Sequence, residues 1–152
     1  MRLSHHELAT LEPRLQRREK IRRRLRNGLG AFFIVAGAAH FLAPHLYDPM
    51  MPGWIAAEAH RPLIYLSGAA EVAGGVGVLT SRFRRAAGWG LIALLLAIFP
   101  ANLHVALDPV AGSDFGVSQT VLWLRLPFQA LFIMWVWWTC LRPAPPTARA
   151  QG

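Results

Sequence analysis

The sequence contains a single cysteine, Cys140, and few acidic residues. One cysteine cannot form an internal disulfide, and without a CxxC pair the chain carries no dithiol couple of its own. The sequence also lacks a metal-ligand spacing motif, a haem-ligand pair and a glycine-rich nucleotide loop. Any redox reaction in which the protein takes part would therefore draw its electrons from a partner protein.

The basic residues are both numerous and unevenly distributed. The 16 Lys and Arg residues outnumber the 8 Asp and Glu residues, which gives a net charge of +8. In a soluble protein such an excess would first suggest nucleic acid. Here nine of the bases precede Asn27, three lie in one short loop at 82–85 and two follow residue 141. This segregation is typical of the flanks of membrane spans, so we expect a lipid bilayer as the partner and no nucleic acid.

Long hydrophobic stretches occupy most of the remaining chain, of which 54% is hydrophobic. Each stretch has about 20 residues, the length that crosses a hydrocarbon core roughly 30 Å thick. The sequence therefore predicts an all-α fold, a four-helix transmembrane bundle preceded by a basic N-terminal helical arm. The predicted spans lie at about 28–47, 62–80, 86–107 and 121–141. Residues 1–27 form the predicted cytoplasmic arm, 28–141 the membrane domain and 142–152 a disordered tail.

The charge distribution also predicts an orientation. Cytoplasmic flanks are rich in Lys and Arg, which places the arm, the 82–85 loop and the tail inside. The other two loops carry four acids against one base, so we expect them outside, with both termini cytoplasmic in the cell (plasma) membrane, a bacterial inner membrane. The first span also resembles a signal peptide, with Arg17-Arg18 in a twin-arginine arrangement. Because its apolar character continues past the small residues at 36–38, we expect a retained span.

Each predicted span contributes a polar side chain at membrane depth. Such groups cost a few kcal/mol each in lipid, so they face the bundle interior and usually have a partner. Counting 1.5 Å per residue, they form one layer about 6–13 Å below the outer edge. The layer consists of His40, Glu71, Asn102, Arg125 and Gln129.

Two interpretations of this layer remain open. In the structural one, Glu71 and Arg125 approach within ion-pair distance and the other three residues complete a network that pins the helices together. In the functional one, the same residues bind a polar or redox-active head group or relay protons. The sequence identifies no catalytic residue and no metal ligand.

A cavity distinguishes the two interpretations. The glycines at 74 and 75, beside Glu71, permit a close helix approach and leave room next to the carboxyl group. We expect the layer to line a small cavity, open to lipid or to the outer surface, with walls from Phe41, Phe128 and Phe132. A purely structural network would instead leave its polar groups saturated and no void between them.

Four segments resemble the DoxX-like family of integral membrane proteins over roughly residues 28–141. They are GAAHF at 37–41, SGAAEVAGGVGVL at 67–79, FPANLHVA at 99–106 and WLRLPFQALFIMW at 123–135. The resemblance implies a four-helix membrane fold. Some relatives are similar to a subunit of a thiosulfate:quinone oxidoreductase, and others to a membrane partner in a thiol and oxidative-stress complex. The family motifs carry over onto the same polar residues, namely His40, Glu71, Asn102, Arg125 and Gln129.

The expected function is that of a redox-associated membrane subunit, linked to quinone or to a thiol or sulfur oxidoreductase. The sequence leaves the cofactor open, with quinone as a candidate, and a soluble or membrane redox protein is the candidate partner. Two alternatives come from other classes: a non-enzymatic scaffold whose polar layer is structural, and a small transporter. The transporter would need to be a homo-oligomer, since four helices suffice only in an assembly. The sequence leaves open whether the protein is an enzyme.

Overall fold

The computed structural model describes residues 5–108 and 118–143, with side chains from residue 12 onward. Over this part the chain is helical and has no strand, which confirms the predicted all-α class. Its helices are α1 (His5–Leu42), α2 (Ala57–Leu79), α3 (Arg84–Leu107) and α4 (Gln119–Val136), and a π-helical turn (Trp137–Leu141) extends α4. The outer turn predicted before Ser118 lies mostly outside the described residues, and so does the disordered tail predicted from residue 142.

Four helices are long and apolar enough to cross a membrane, as predicted. These segments are Glu12–Leu42, Ala57–Leu79, Arg84–Leu107 and Gln119–Leu141. Large apolar side chains cover their outer faces, and Val35, Leu42 and Leu66 are 70%, 84% and 65% exposed. Such faces are unusual on soluble monomers and match the surface that lipid tails would contact.

Helix α1 differs from the predicted boundaries at both ends. The basic arm and the first span form one continuous helix of 38 residues, about 57 Å long at 1.5 Å per residue. The helix ends at Leu42, so the predicted span of 28–47 runs five residues too far. Pro44 explains the end, because a proline disfavours the helical conformation of the residue before it, and Ala43 has φ −138°.

Two short 3₁₀ turns, Pro44–Leu46 and Asp48–Met50, lead from α1 towards α2. An ion pair of 2.7 Å between Arg61 Nη2 and Asp48 Oδ2 ties this segment to the first turns of α2. Helix α2 begins at Ala57, five residues before the predicted start, with Glu58 in its first turn. We call this end of the bundle the turn end, defined by residues 44–50.

Glycines bring α1 and α2 into backbone contact. A Cβ atom on Gly37 would lie 2.5 Å from the carbonyl oxygen of Gly68, and one on Gly75 would lie 2.7 Å from that of Gly30. Side chains at these positions would hold the two helices apart, so the close packing requires glycine. A Cβ on Gly74 would instead collide with Leu91 of α3. The expected close approach beside Glu71 is therefore confirmed, and it involves two neighbouring helices.

The apolar core has two parts. The larger cluster lies at the end of the bundle opposite the turn end, where α1, α2, α3 and the π-helical turn meet. We call this the arginine end, because Arg22, Arg26 and Arg84 lie there. The larger cluster is formed by Leu29, Phe33, Val78, Leu91, Ile92, Leu95, Val136, Cys140 and Leu141. A smaller cluster at the turn end contains Val105, Ala106 and Leu122.

Candidate binding cavity

A cavity of about 710 Å³ lies among the four helices. Its wall is mostly apolar, with aromatic side chains from Phe32, Phe33, Phe128 and Phe132. All the polar residues that the sequence placed in one layer lie on this wall, which agrees with the predicted cavity. They are His40, Glu71, Asn102, Arg125 and Gln129.

Glu71 projects from the glycine-rich face of α2 and is only 8% exposed. Its Oε1 lies 3.8 Å from the Nε2 of His40, while its Oε2 is buried and has no hydrogen-bond partner among the described residues. A buried carboxyl oxygen without a partner costs free energy, which a ligand that donates a hydrogen bond would recover. Glu71 therefore offers the cavity an acceptor that the protein leaves unused.

His40 lies in the last turn of α1 and is 8% exposed. Its Nδ1 lies 3.4 Å from the carbonyl oxygen of Ile64, an acceptor, so Nδ1 carries a proton. The other ring nitrogen, Nε2, faces Glu71. At this distance the two groups form an ion pair when the imidazole is protonated beside the carboxylate. A titratable imidazole next to a carboxyl group suits the pair to accept or release protons.

Arg125 is half-buried on α4 and has no carboxylate partner among the described residues. Its Nη1 and Nη2 lie 3.6 Å and 3.7 Å from the thioether sulfur of Met50, a weak acceptor. The predicted direct pair with Glu71 is therefore wrong: Glu71 pairs with His40 instead. The reason lies in the glycine packing of α1 on α2, which brings His40 against Gly68 and next to Glu71.

Asn102 and Gln129 join α3 to α4 through their amides. Asn102 Nδ2 donates to Gln129 Oε1 at 3.0 Å, and Gln129 Nε2 donates to the backbone carbonyl oxygen of Leu95. Pro100 lies one turn after this carbonyl, and proline removes a helical hydrogen bond and distorts the preceding turn. These two amides mainly bridge helices.

The segment after α1 supplies cavity residues that the sequence did not predict. Tyr47, between the two 3₁₀ turns, and Met50, at the end of the second, both reach the wall. The Tyr47 ring lies 3.8 Å from that of His40, and burial, together with the nearby negative charge of Glu71, raises the pKa of its hydroxyl. Pro44 was the signal for these residues in the sequence. It ends α1, and the residues between it and α2 then turn back over the bundle.

The predicted wall residue Phe41 is not among the residues that line the cavity. Its ring stacks on Tyr65 with centroids 5.5 Å apart, and 48% of the residue is exposed. Successive residues on a helix point about 100° apart. Because His40 faces the cavity, Phe41 faces away from it, and Phe32 and Phe33 from the middle of α1 take its place on the wall.

A family model, described as a domain of unknown function (DUF8561), matches residues 29–140. The chain belongs to the DUF8561 family. The DUF8561 match includes each polar residue of the cavity and excludes most of the basic arm and the tail. No curated protein and no solved structure matches the chain. The resemblance to DoxX-like proteins remains a prediction for this DUF8561 member.

Proposed function

We propose that the protein is a multi-pass subunit of the cell membrane that binds a quinone-type molecule in its cavity and exchanges protons with it. One observation carries this proposal. Within an apolar cavity, and among the described residues, the Glu71 Oε2 lacks a hydrogen-bond partner and the Arg125 guanidinium donates hydrogen bonds to a thioether sulfur, a weak acceptor. Both groups are strongly polar, and a head group with oxygen atoms would satisfy both.

Arg125 and Glu71 suit the two oxidation states of a quinone, one as a hydrogen-bond donor and the other as an acceptor. Arg125 donates hydrogen bonds, which a quinone carbonyl accepts. Glu71 accepts a hydrogen bond, which a quinol hydroxyl donates, and His40 behind it holds or releases a proton. Phenylalanines supply ring faces for an aromatic or quinoid ring. A volume of about 710 Å³ also falls within the usual range for small-molecule sites, roughly 300–1,000 Å³.

The electrons of such a reaction pass outside this chain. Oxidation of a quinol to a quinone releases two protons and two electrons, and the Glu71–His40 pair takes up the protons in turn. With one cysteine the chain has no dithiol couple, so a redox group on a partner protein accepts the electrons. The resemblance to DoxX-like proteins supports a thiol or sulfur oxidoreductase as that partner. The reverse reaction, quinone reduction, uses the same groups in the opposite order.

The proposal includes an orientation in which both termini and the arginine end face the cytoplasm. The distribution of basic residues supports it, because cytoplasmic flanks carry the excess of Lys and Arg. In this orientation the cavity opens in the outer half of the bilayer, and Tyr47 and Met50 lie at its outer edge. Protons from a quinol would then be released on the outer side.

A scaffold without enzymatic activity is the second candidate. The hydrogen bonds from Asn102 to Gln129 and from Gln129 to the Leu95 carbonyl favour it, because they join α3 to α4 without any ligand. In this case the polar layer stabilises the bundle, and the soluble partner binds elsewhere.

Binding of a short-chain quinone to the purified protein separates the two candidates. Thermal unfolding in detergent is followed while the quinone is titrated, for the wild type and for Glu71→Gln and Arg125→Gln. Exposed positions with the same charge changes, Glu58→Gln and Arg85→Gln, are the matched controls. We expect stabilisation by quinone in the wild type and the controls, and a roughly tenfold weaker affinity in the two cavity variants. Equal responses in all five proteins, or none, would favour the scaffold.

A further inference from the structure

The arginine end of the bundle carries a second polar cluster, remote from the cavity. Arg26 of α1 is buried, with 6% of its surface exposed, and its Nε has no hydrogen-bond partner among the described residues. Arg84, the first residue of α3, is half-buried, and its Nε likewise has no partner in this part of the chain. Arg26 lies close enough to Arg84 and Arg22 for their positive charges to repel its own. Guanidinium groups from α1 and α3 therefore lie near one another.

Arg22 is held in place beside this pair. Its Nε donates to the carbonyl oxygen of Thr139 at 3.1 Å, and its Nη2 donates to that of Arg142. Thr139 belongs to the π-helical turn that extends α4, and Arg142 follows it directly, so the Arg22 side chain joins α1 to this turn next to Arg26. Both acceptors are backbone carbonyl oxygens.

The cluster lacks an anion of its own. Within the described residues no carboxylate lies at ion-pair distance from any of the three arginines. Glu19 attracts Arg26 from farther along α1, but it is exposed and carries a single charge. Burying a guanidinium without a counter-charge is costly, and cations that repel one another raise the cost. The geometry therefore points to an anion from outside the chain.

We infer that Arg22, Arg26 and Arg84 bind a phosphate group at the arginine end of the bundle. Guanidinium groups match phosphate because their planar N–H forks donate to two oxygens at once. Helix α3 also begins here, and no side chain caps its first turn at Phe83, so its backbone N–H groups favour the same anion. This site is independent of the proposed quinone site.

An anionic phospholipid of the adjacent leaflet is the source that this position favours. Arg22 and Arg26 directly precede the apolar stretch that begins at residue 28, so in a bilayer they would lie near the lipid head groups rather than in bulk solvent. A free phosphate ion has the same chemistry, so the two sources need separate tests. In either case, binding would hold the ends of α1, α3 and α4 together.

Native mass spectrometry of the full-length protein in detergent tests the inference, with phosphatidylglycerol, phosphatidylcholine and inorganic phosphate as probes. We expect phosphatidylglycerol to bind the wild type in preference to phosphatidylcholine. Arg26→Gln and Arg84→Gln should weaken that binding by roughly tenfold or more, because each removes a charged hydrogen-bond donor. The controls Arg23→Gln and Arg85→Gln change the same charge at exposed neighbouring positions and should bind as the wild type does.

The possible outcomes separate the sources. If inorganic phosphate displaces the lipid at matched concentration, the site recognises phosphate itself and the ligand is the free ion. If it does not, the ligand is the phospholipid. Equal weakening by the control variants, or no lipid preference in the wild type, would overturn the inference, since diffuse surface charge would then explain the binding. Should Arg26→Gln fail to fold, Arg84→Gln and Arg26→Lys give the same comparison, with a partial loss expected for lysine.

Discussion

Which side chains pair with one another in the cavity depends on how each helix is rotated about its own axis. The sequence identifies which polar residues lie at one depth, because depth depends only on position along a helix. It does not identify partners, since these depend on how close two particular helices approach. Glycine packing of α1 on α2 brings His40 beside Glu71. Arg125 lies on α4, on another part of the cavity wall, and contacts Met50. The layer was therefore predictable, whereas the pairing within it was not.

A double-mutant cycle tests the observed pairing. Glu71→Gln and His40→Gln should each destabilise the detergent-solubilised protein, and the double variant should lose less than the sum, with a coupling of about 0.5–3 kcal/mol. The coupling between Glu71→Gln and Arg125→Gln should be smaller, because those side chains form no direct ion pair. Thermal or denaturant unfolding measures both cycles. A larger coupling with Arg125 would restore the ion pair that the sequence suggested and contradict the observed geometry.

Helix boundaries were predictable where the hydrophobic stretch of the sequence and the helix end together. They were less predictable where a backbone constraint, such as a proline, ends the helix. Helix α3, and α4 together with its π-helical turn, begin and end within about two residues of the predicted spans 86–107 and 121–141. Helix α1 ends five residues early, because Pro44 stops it before the apolar character of the chain fades. The 3₁₀ turns that follow bring Tyr47 and Met50 to the cavity. Hydropathy gives no signal for such irregular segments, which explains why both residues were missed.

Substitution of interface glycines tests the packing of α1 on α2. Gly68→Ala should destabilise the protein by about 1–3 kcal/mol, because its Cβ would lie 2.6 Å from that of His40 and 2.8 Å from the Gly37 carbonyl oxygen. Gly90→Ala is the matched control on α3, where a Cβ meets nothing within 4 Å. That change should stabilise the helix slightly, by up to about 1 kcal/mol. Equal effects at the two positions would show that α1 and α2 are not packed this closely.

For the whole molecule, four apolar helices and an uneven charge distribution together imply a polarity across the membrane. The arginine end gathers Arg22, Arg26 and Arg84, and at the turn end Tyr47 and Met50 line the cavity. Because these features lie at opposite ends of the bundle, a quinone-type ligand and a phosphate group would bind on opposite sides. The match to the DUF8561 family, over residues 29–140, includes the turn end and Arg84 but leaves Arg22 and Arg26 outside.

Cysteine labelling in cells tests the orientation. In a Cys140→Ser background, single cysteines are introduced at Gly53 near the turn end and at Ser81 in the loop between α2 and α3. Both positions are exposed. A membrane-impermeant reagent should label position 53 in intact cells, and position 81 only after permeabilisation, as the positive-inside rule requires. Labelling of position 81 but not of position 53 in intact cells would show that the topology is the reverse of the proposed one.

The central claim is that the cavity holds a quinone-type molecule, and extraction of the purified protein tests it most directly. The protein is purified in mild detergent from membranes of its host, extracted with organic solvent, and the quinone per protein is quantified by chromatography. We expect near-stoichiometric quinone in the wild type. Ala70→Phe, which fills part of the cavity, should lose it, and the neighbouring control Ala69→Phe, which faces outward, should retain it. Quinone absent from the wild type, or equal in all three proteins, would contradict the account.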